Sequence, residues 1–277
     1  MGKRLRHLDL FAGIGGFSLG LERSGLSETV AFCEIEPFCQ KVLNKHWPDV
    51  PIYNDVRELT NERLESDGIT NIGIITGGFP CQDLSVAGNQ KGIHAERSGL
   101  WSELCRIIGD IRPAYAIVEN VTALISGDNG RWFGKVLGDL AEIGYDCEWH
   151  CIPASELGAP HHRDRVWIIC YPKHDGSYET AKQGSADGDV SNNKSKRVQG
   201  FGAGGQQKPQ TYEGQIISLR HCEGFVHAAW DAEPDVGRVV NGLPRRVDRI
   251  KGLGNAVVPQ IPELIGRAIL ELQTNSK

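Results

Sequence analysis

A cysteine follows a proline in GGFPCQDLS (residues 77–85), beside two glycines and after an apolar run. Cysteines that serve only packing belong inside strands, as Cys170 does in RVWIICY; one on a Gly/Pro turn is a candidate nucleophile, which makes Cys81 the first residue of interest. Glu119 and Asn120 close a second apolar run, YAIVENV. A carboxyl group that is partly desolvated there has a raised pKa and can donate a hydrogen bond near neutral pH. In HHRDRVW, Arg163 and Arg165 flank Asp164, and the two-residue period of a strand turns both guanidinium groups to one side. These types suit nucleophilic attack with an acid and fixed cations beside it.

A second set of residues suits a ligand. In DLFAGIGGFSLGLERSG, Gly13, Gly15 and Gly16 stand where a strand passes into a helix, so backbone can approach a ligand at a helix N-terminus. The pattern is GxGG, not the GxGxxG of a dinucleotide site, which argues against a pyrophosphate. About 20 residues on, TVAFCEIEP carries Glu34, where a carboxylate can accept from ribose hydroxyls. IYNDV then carries Asp55. Each acid has a plainer reading: Glu34 as an acid near a helix N-terminus, with Pro37 in the first turn, and Asp55 as an N-cap. Jointly, Gly, Glu and Asp at three successive strand ends fit one nucleoside-bearing ligand across the carboxyl edge of a sheet.

The elements that must position these groups are legible as an alternation. LRHLDL, TVAFCE, IGIIT, YAIVEN and RVWIIC read as short strands, and FSLGLERSG, FCQKVLNKHW, GLWSELCRIIGDI and FGKVLGDLAEIG as helices. That order predicts an α/β fold, a mostly parallel sheet with right-handed crossovers and helices on both faces. Composition changes near residue 172: up to about 215 the chain is rich in Gly, Ser, Asn and Gln. Such a stretch is either a disordered insertion or long loops on a small second lobe. Ile216, Ile217, Phe225 and Trp230 restore apolar character, and PQIPELIGRAILELQ (259–273) reads as a closing amphipathic helix. The expected domains are 1–171, a small region 172–249, and a segment 250–277 that returns to the first.

The chain has 277 residues, 40% hydrophobic and 23% charged, which supports one sizeable core and a smaller lobe. It has no apolar run long enough for a membrane span and no signal-peptide core at MGKRLRHLDL, so a cytoplasmic, non-membrane protein is expected. Reduced thiols are then the expectation for its eight cysteines. Without a CxxC pair, the grouping of Cys147, Cys151, His150, His161 and His162 is not read as a metal site. Net charge is −5, yet RVVNGLPRRVDRIK (238–251) holds five basic residues against one acidic. That segment is a solvated face or a surface that tracks phosphates.

In order along nearly the whole chain, these motifs resemble those of the DNA (cytosine-5-)methyltransferase family. DLFAGIGG is similar to its S-adenosyl-L-methionine motif, GGFPCQ to its Pro-Cys motif, ENV to its Glu-Asn-Val, HHRDRV to its arginine motif and GLGNAVVPQ to its closing motif. The resemblance implies a Rossmann-like methyltransferase fold and a methyl group transferred from S-adenosyl-L-methionine to cytosine C5. It assigns attack on C6 to Cys81, hydrogen bonds to N3 and the amino group to Glu119, the O2 contact to Arg165 and positioning to Arg163. Cofactor contacts fall on Asp9, Phe11, Ala12, Gly13, Gly15, Gly16, Glu34, Ile35, Asp55, Val56, Gly78, Pro80, Leu100, Asn255 and Val257. DNA contacts fall on Gln82, Ser85, Lys91, Arg245 and Arg246.

The implied partner is double-stranded DNA, with the target base extruded from the helix, and the chain is taken as a monomer. A cognate restriction endonuclease encoded elsewhere is left open. Residues 82–99, with glycines 88, 92 and 99, are read as a lid that closes over DNA or as a passive loop. The family usually has glutamine and arginine where this chain has His161 and His162. RNA as substrate for the same chemistry, and a binding module that has lost catalysis, are the alternatives. A nicotinamide dehydrogenase does not suit GxGG.

Overall fold

The computed structural model describes residues 3–79, 99–159, 161, 163–173 and 246–275, all within one compact unit. Seven strands form one sheet: β1 (Leu5–Leu10), β2 (Ser27–Cys33), β3 (Ile52–Tyr53), β4 (Ile72–Gly78), β5 (Tyr115–Val121), β6 (Tyr145–Pro153) and β7 (Asp164–Pro172). Their spatial order is β3-β2-β1-β4-β5-β7-β6. The first five pair in parallel, and β7 runs antiparallel to both neighbours. The connections turn outward in opposite directions from β1 and β4, so a crevice opens beyond the carboxyl ends of those two strands.

Helices cover both faces. On one, α4 (Gly99–Ile111) and α6 (Arg131–Glu142) bring Trp101, Leu104, Ile108, Val136 and Leu140 onto Leu8, Leu10, Ile75, Val118 and Ile168. Trp101 Nε1 donates to Asp139 Oδ2 at 2.7 Å, which fixes one helix to the other. The short helices α3 (Asn61–Ser66) and α5 (Ala123–Ser126) add Leu64 and Leu124 to this side. On the opposite face, α1 (Gly16–Ser24) and α8 (Gln260–Asn275) bury Phe17, Leu21, Ile261, Ile265 and Ile269 against Ile74, Ile117, Trp167 and Ile169. Here α1 and α8 approach through small residues: a Cβ at Gly20 would collide with the Pro259 carbonyl oxygen, and one at Gly266 with Ser24 Oγ. At the sheet margin, α2 (Pro37–His46) lies near α7 (Arg246–Asn255).

Three local expectations are corrected. The alternation of strand and helix gives no sign of β6, an edge strand whose exposure varies along its length and which, among the described residues, pairs only with β7. The third strand stops at Tyr53, so Asp55 lies on the turn beyond it. Asp55 is also not a helix cap, because Thr60 Oγ1 accepts from Arg63 N at the start of α3. Cys81, Pro80, Gln82, Ser85, Lys91 and Arg245, the loop 82–98, His162 and the region 174–245 lie outside the described residues.

Candidate active site

The glycine turn is shaped by its neighbours. β1 ends at Leu10, and Phe11 (φ 53°), Gly13 (φ 55°) and Gly15 (φ 86°) reverse the chain into α1. A side chain at Gly13 would meet only open space, so its absence leaves backbone bare toward the crevice. At Gly16 the reason is contact, since a Cβ there would collide with the carbonyl oxygen of Val257. The closing segment therefore lies directly against the glycine turn. Ala12 is buried against Phe32 and Leu43.

Glu34, just past the end of β2, is only 8% exposed. Its Oε2 accepts from Gly13 N at 2.7 Å and its Oε1 from Glu36 N at 2.8 Å. Burial pushes its pKa up, and the two backbone bonds hold it down. Each carboxylate oxygen keeps a second lone pair, so one side chain can fix the turn and still accept from a ligand hydroxyl. Next to it Ile35 is 60% exposed, an apolar side chain that lies largely open to solvent. Bare backbone at Gly13, free acceptor capacity on Glu34 and apolar Ile35 fit a nucleoside-bearing cofactor. Gln40, which sequence reasoning passed over, supports this corner by donating to the Glu34 carbonyl at 2.6 Å and to Asn54 at 2.8 Å. Asp55 is held by Arg57 at 2.7 Å, which pulls its pKa below the usual carboxylate range.

Not every residue assigned to the cofactor faces the crevice. Asp9 is fully buried, with both oxygens bonded inside the fold to Ser18 and Thr76. Val56 packs in the core, and Arg106 holds its carbonyl. Leu100 leans on the same core from the first turn of α4. Asn255, at the end of α7, is exposed.

Across the switch point, β5 brings Glu119 beside Gly78 of β4. An added Cβ at Gly78 would lie 3.0 Å from Glu119 Oε2, so glycine makes room for that carboxyl. Arg165 reaches over from β7, its Nε 2.9 Å from Glu119 Oε1. Burial raises the Glu119 pKa, while Arg165 and Arg163 oppose the rise. Arg163 is itself pulled down by burial and by Arg165, and it donates to the Gly254 carbonyl at 2.6 Å. Asn120 Nδ2 donates to the Phe79 carbonyl at 3.1 Å, two residues before Cys81. The position of Asn120 at the end of YAIVEN signalled that it reaches this edge; its grip on the backbone ahead of the thiol did not show.

These contacts form one path. The glycine turn touches Val257, Gly254 of the same closing segment holds Arg163, and Arg163 and Arg165 bear on Glu119. Four motifs that are distant in sequence therefore meet at one sheet edge. Against known proteins, the family model described as C-5 cytosine-specific DNA methylase matches residues 5–212. The chain belongs to that family.

Among curated members, the type II methyltransferase M.CviJI of Paramecium bursaria Chlorella virus IL3A is 38% identical over 168 residues, covering 61% of this chain and 43% of the relative. M.HhaI of Haemophilus parahaemolyticus is 34% identical over 167 residues, covering 60% and 49%. The chain thus spans less than half the length of these curated relatives. A crystal structure of an E. coli prophage protein, described as a DNA modification methyltransferase, aligns with a TM-score of 0.52 at 26% identity, over 61% of this chain and 47% of that one. The S. pombe Dnmt2 methyltransferase shares the fold, with a TM-score of 0.50 at 23% identity, over 63% and 53%. The mostly parallel sheet is thus the Rossmann-like fold of DNA methylases.

Proposed function

We propose that the chain transfers a methyl group from S-adenosyl-L-methionine to C5 of cytosine in double-stranded DNA, through a covalent bond from Cys81 to C6 of an extruded base. The observation that carries this reading is the pair formed by buried Glu119 and half-buried Arg165, joined through Arg163 and Gly254 to the closing segment that packs on the glycine turn. When bound, the cofactor supplies an electrophilic methyl sulfonium, toward which cytosine C5 alone is a poor nucleophile. Addition of the Cys81 thiolate to C6 gives the ring enamine character and makes C5 nucleophilic. Glu119, whose burial favours its protonated form, hydrogen-bonds N3 and the amino group and offsets the charge that develops in the ring. Arg165 holds O2, and Arg163 keeps Arg165 and the closing segment in place. Once C5 carries the methyl group, loss of its proton expels the thiolate. Gly13, Gly15, Gly16, Glu34 and Ile35 hold the cofactor, with Asn255 and Val257 across from them.

The remaining assignments are part of the same reading. Gln82, Ser85, Lys91, Arg245 and Arg246 contact DNA, the region 172–249 reads its sequence, and the protein works as a cytoplasmic monomer. A cognate restriction endonuclease encoded elsewhere stays open in this reading, and the naming of the relatives as type II methyltransferases is what supports it.

Single-turnover transfer of labelled methyl groups tests the proposal, with duplex DNA and structured RNA as competing substrates and the product base identified by mass spectrometry. The expected result is 5-methylcytosine in duplex DNA, lost in Cys81→Ala, while cofactor binding persists. Turnover retained by Cys81→Ala removes the thiol from the mechanism. Label in RNA alone replaces the substrate.

A further inference from the structure

Four polar side chains from three elements lie in line beneath α1, and all are fully buried. His7 Nε2 is 2.7 Å from Thr76 Oγ1. Thr76 Oγ1 donates to Asp9 Oδ1 at 2.8 Å, and Ser18 Oγ donates to Asp9 Oδ2 at 2.8 Å. Because the Thr76 proton is directed at Asp9, the Thr76 oxygen accepts from His7 Nε2–H. That sets the imidazole tautomer and leaves Nδ1 without a partner among the described residues.

Around the line this face of the sheet is mostly apolar, packed by Phe17, Leu21, Ile74 and Ile117, with Thr29, the register partner of His7, bonded to Glu22 of α1. Polar groups at such a place cost free energy unless they are bonded, so a role beyond filling space is called for. The placement of its members shows where it acts. Asp9 is one residue from the end of β1, which runs into the glycine turn, and Ser18 is in the first turn of the helix that leaves it. Thr76 is the register partner of Asp9 on β4, the strand that leads through Gly78 and Phe79 to Cys81. The Asp9 carboxyl therefore bonds both the helix after the cofactor turn and the strand before the nucleophile. Apolar contacts are non-directional and let elements slide; two hydrogen bonds to one carboxyl group set a distance.

On the methyltransferase reading above, we propose that Asp9 is a positioning residue that couples the cofactor turn to the nucleophile strand through the His7–Thr76–Asp9–Ser18 line. Burial pushes Asp9 up to about 7 and His7 down to about 3, so the histidine is neutral. The groups that act on Asp9 are the Thr76 hydroxyl from the sheet, the Ser18 hydroxyl and backbone N–H from α1 and, as a like charge, Glu34. None is a cation that could hold the carboxyl in place of the two hydroxyls.

Calorimetric binding of S-adenosyl-L-methionine to the full chain provides the test, because it reads the turn without turnover. Thr76→Val, which touches only the strand, is expected to weaken binding about fivefold, the effect of losing one hydrogen bond. Ser18→Ala is expected to do the same, and the double variant to fall short of the product of the two. Thr76→Ser, which keeps the hydroxyl, restores wild-type affinity. Ile265→Val, which lowers melting temperature on the same face without touching the line, leaves affinity within about twofold. If Thr76→Val does not fold, His7→Phe combined with Thr76→Ala removes both polar groups on the sheet side of Asp9 and takes its place. Unchanged affinity in the strand variant, or effects that simply multiply, overturn the coupling and leave the functional reading intact. A wild-type chain that binds no S-adenosyl-L-methionine overturns both.

Discussion

Glu119 is pulled two ways: burial favours its neutral form, and Arg165 and Arg163 favour its charge. The balance suits an acid that meets an arginine in the free protein and a pyrimidine edge during reaction. Glu119→Gln keeps the shape and one donor but not the acid, so turnover is expected to fall by about 10²-fold or more. Affinity for S-adenosyl-L-methionine should stay within about twofold, and equal losses in both would make the residue structural. Asp9 and His7 give a prediction about stability. Folded Asp9 keeps its proton up to about 7, whereas the unfolded chain loses it near 3.8, so stability falls as pH rises between those values. Folded His7 stays neutral down to about 3, whereas unfolded it is protonated below 6.5, so stability falls as pH drops through that window. From about pH 4 to 6.5 the two slopes oppose each other and cancel. Asp9→Asn leaves the histidine slope alone, so relative to wild type its stability should rise with pH by about 1.4 kcal/mol per unit there. His7→Phe should tilt the opposite way. Urea unfolding at three pH values within the window reads both, and parallel profiles would contradict the assignment.

At the scale of elements, α1 and α8 depend on glycine for their approach. Gly20→Val drives a branched side chain into the Pro259 carbonyl oxygen, and overpacking of this kind costs about 1–3 kcal/mol. Thermal melting checks it; an unchanged midpoint would mean that the helices separate freely. Hydrophobic period made these helices legible in the sequence, and α4 falls on the same residues, 99–111, as its pattern does. β6 was not legible, because an edge strand with uneven exposure, carrying Cys147, Trp149, His150 and Cys151, has no clean alternation. The direction of β7 was equally hidden, since RVWIIC reads the same whether its neighbour runs parallel or antiparallel. Among site residues, Glu119, Arg163 and Arg165 were legible because their types and spacing point to chemistry. His7, Thr76 and Ser18 were not, because a polar residue in an apolar strand acquires meaning only from the neighbour that sheet pairing supplies.

For the whole molecule, the sheet order matters most. The connections progress outward in opposite directions from the parallel strands β1 and β4, which sets the glycine turn and the approach to Cys81 side by side. β5 and β7 then bring the acid and the arginines to the same edge. In the proposed function the thiol bonds directly to the base, and DNA with 5-fluorocytosine at the target position would trap that bond, because fluorine cannot leave C5 as a proton does. Incubation with this DNA and S-adenosyl-L-methionine, followed by denaturing electrophoresis and peptide mass spectrometry, should give a stable adduct on Cys81 that carries one added methyl group. An active preparation that methylates ordinary cytosine yet forms no such adduct would contradict attack at C6.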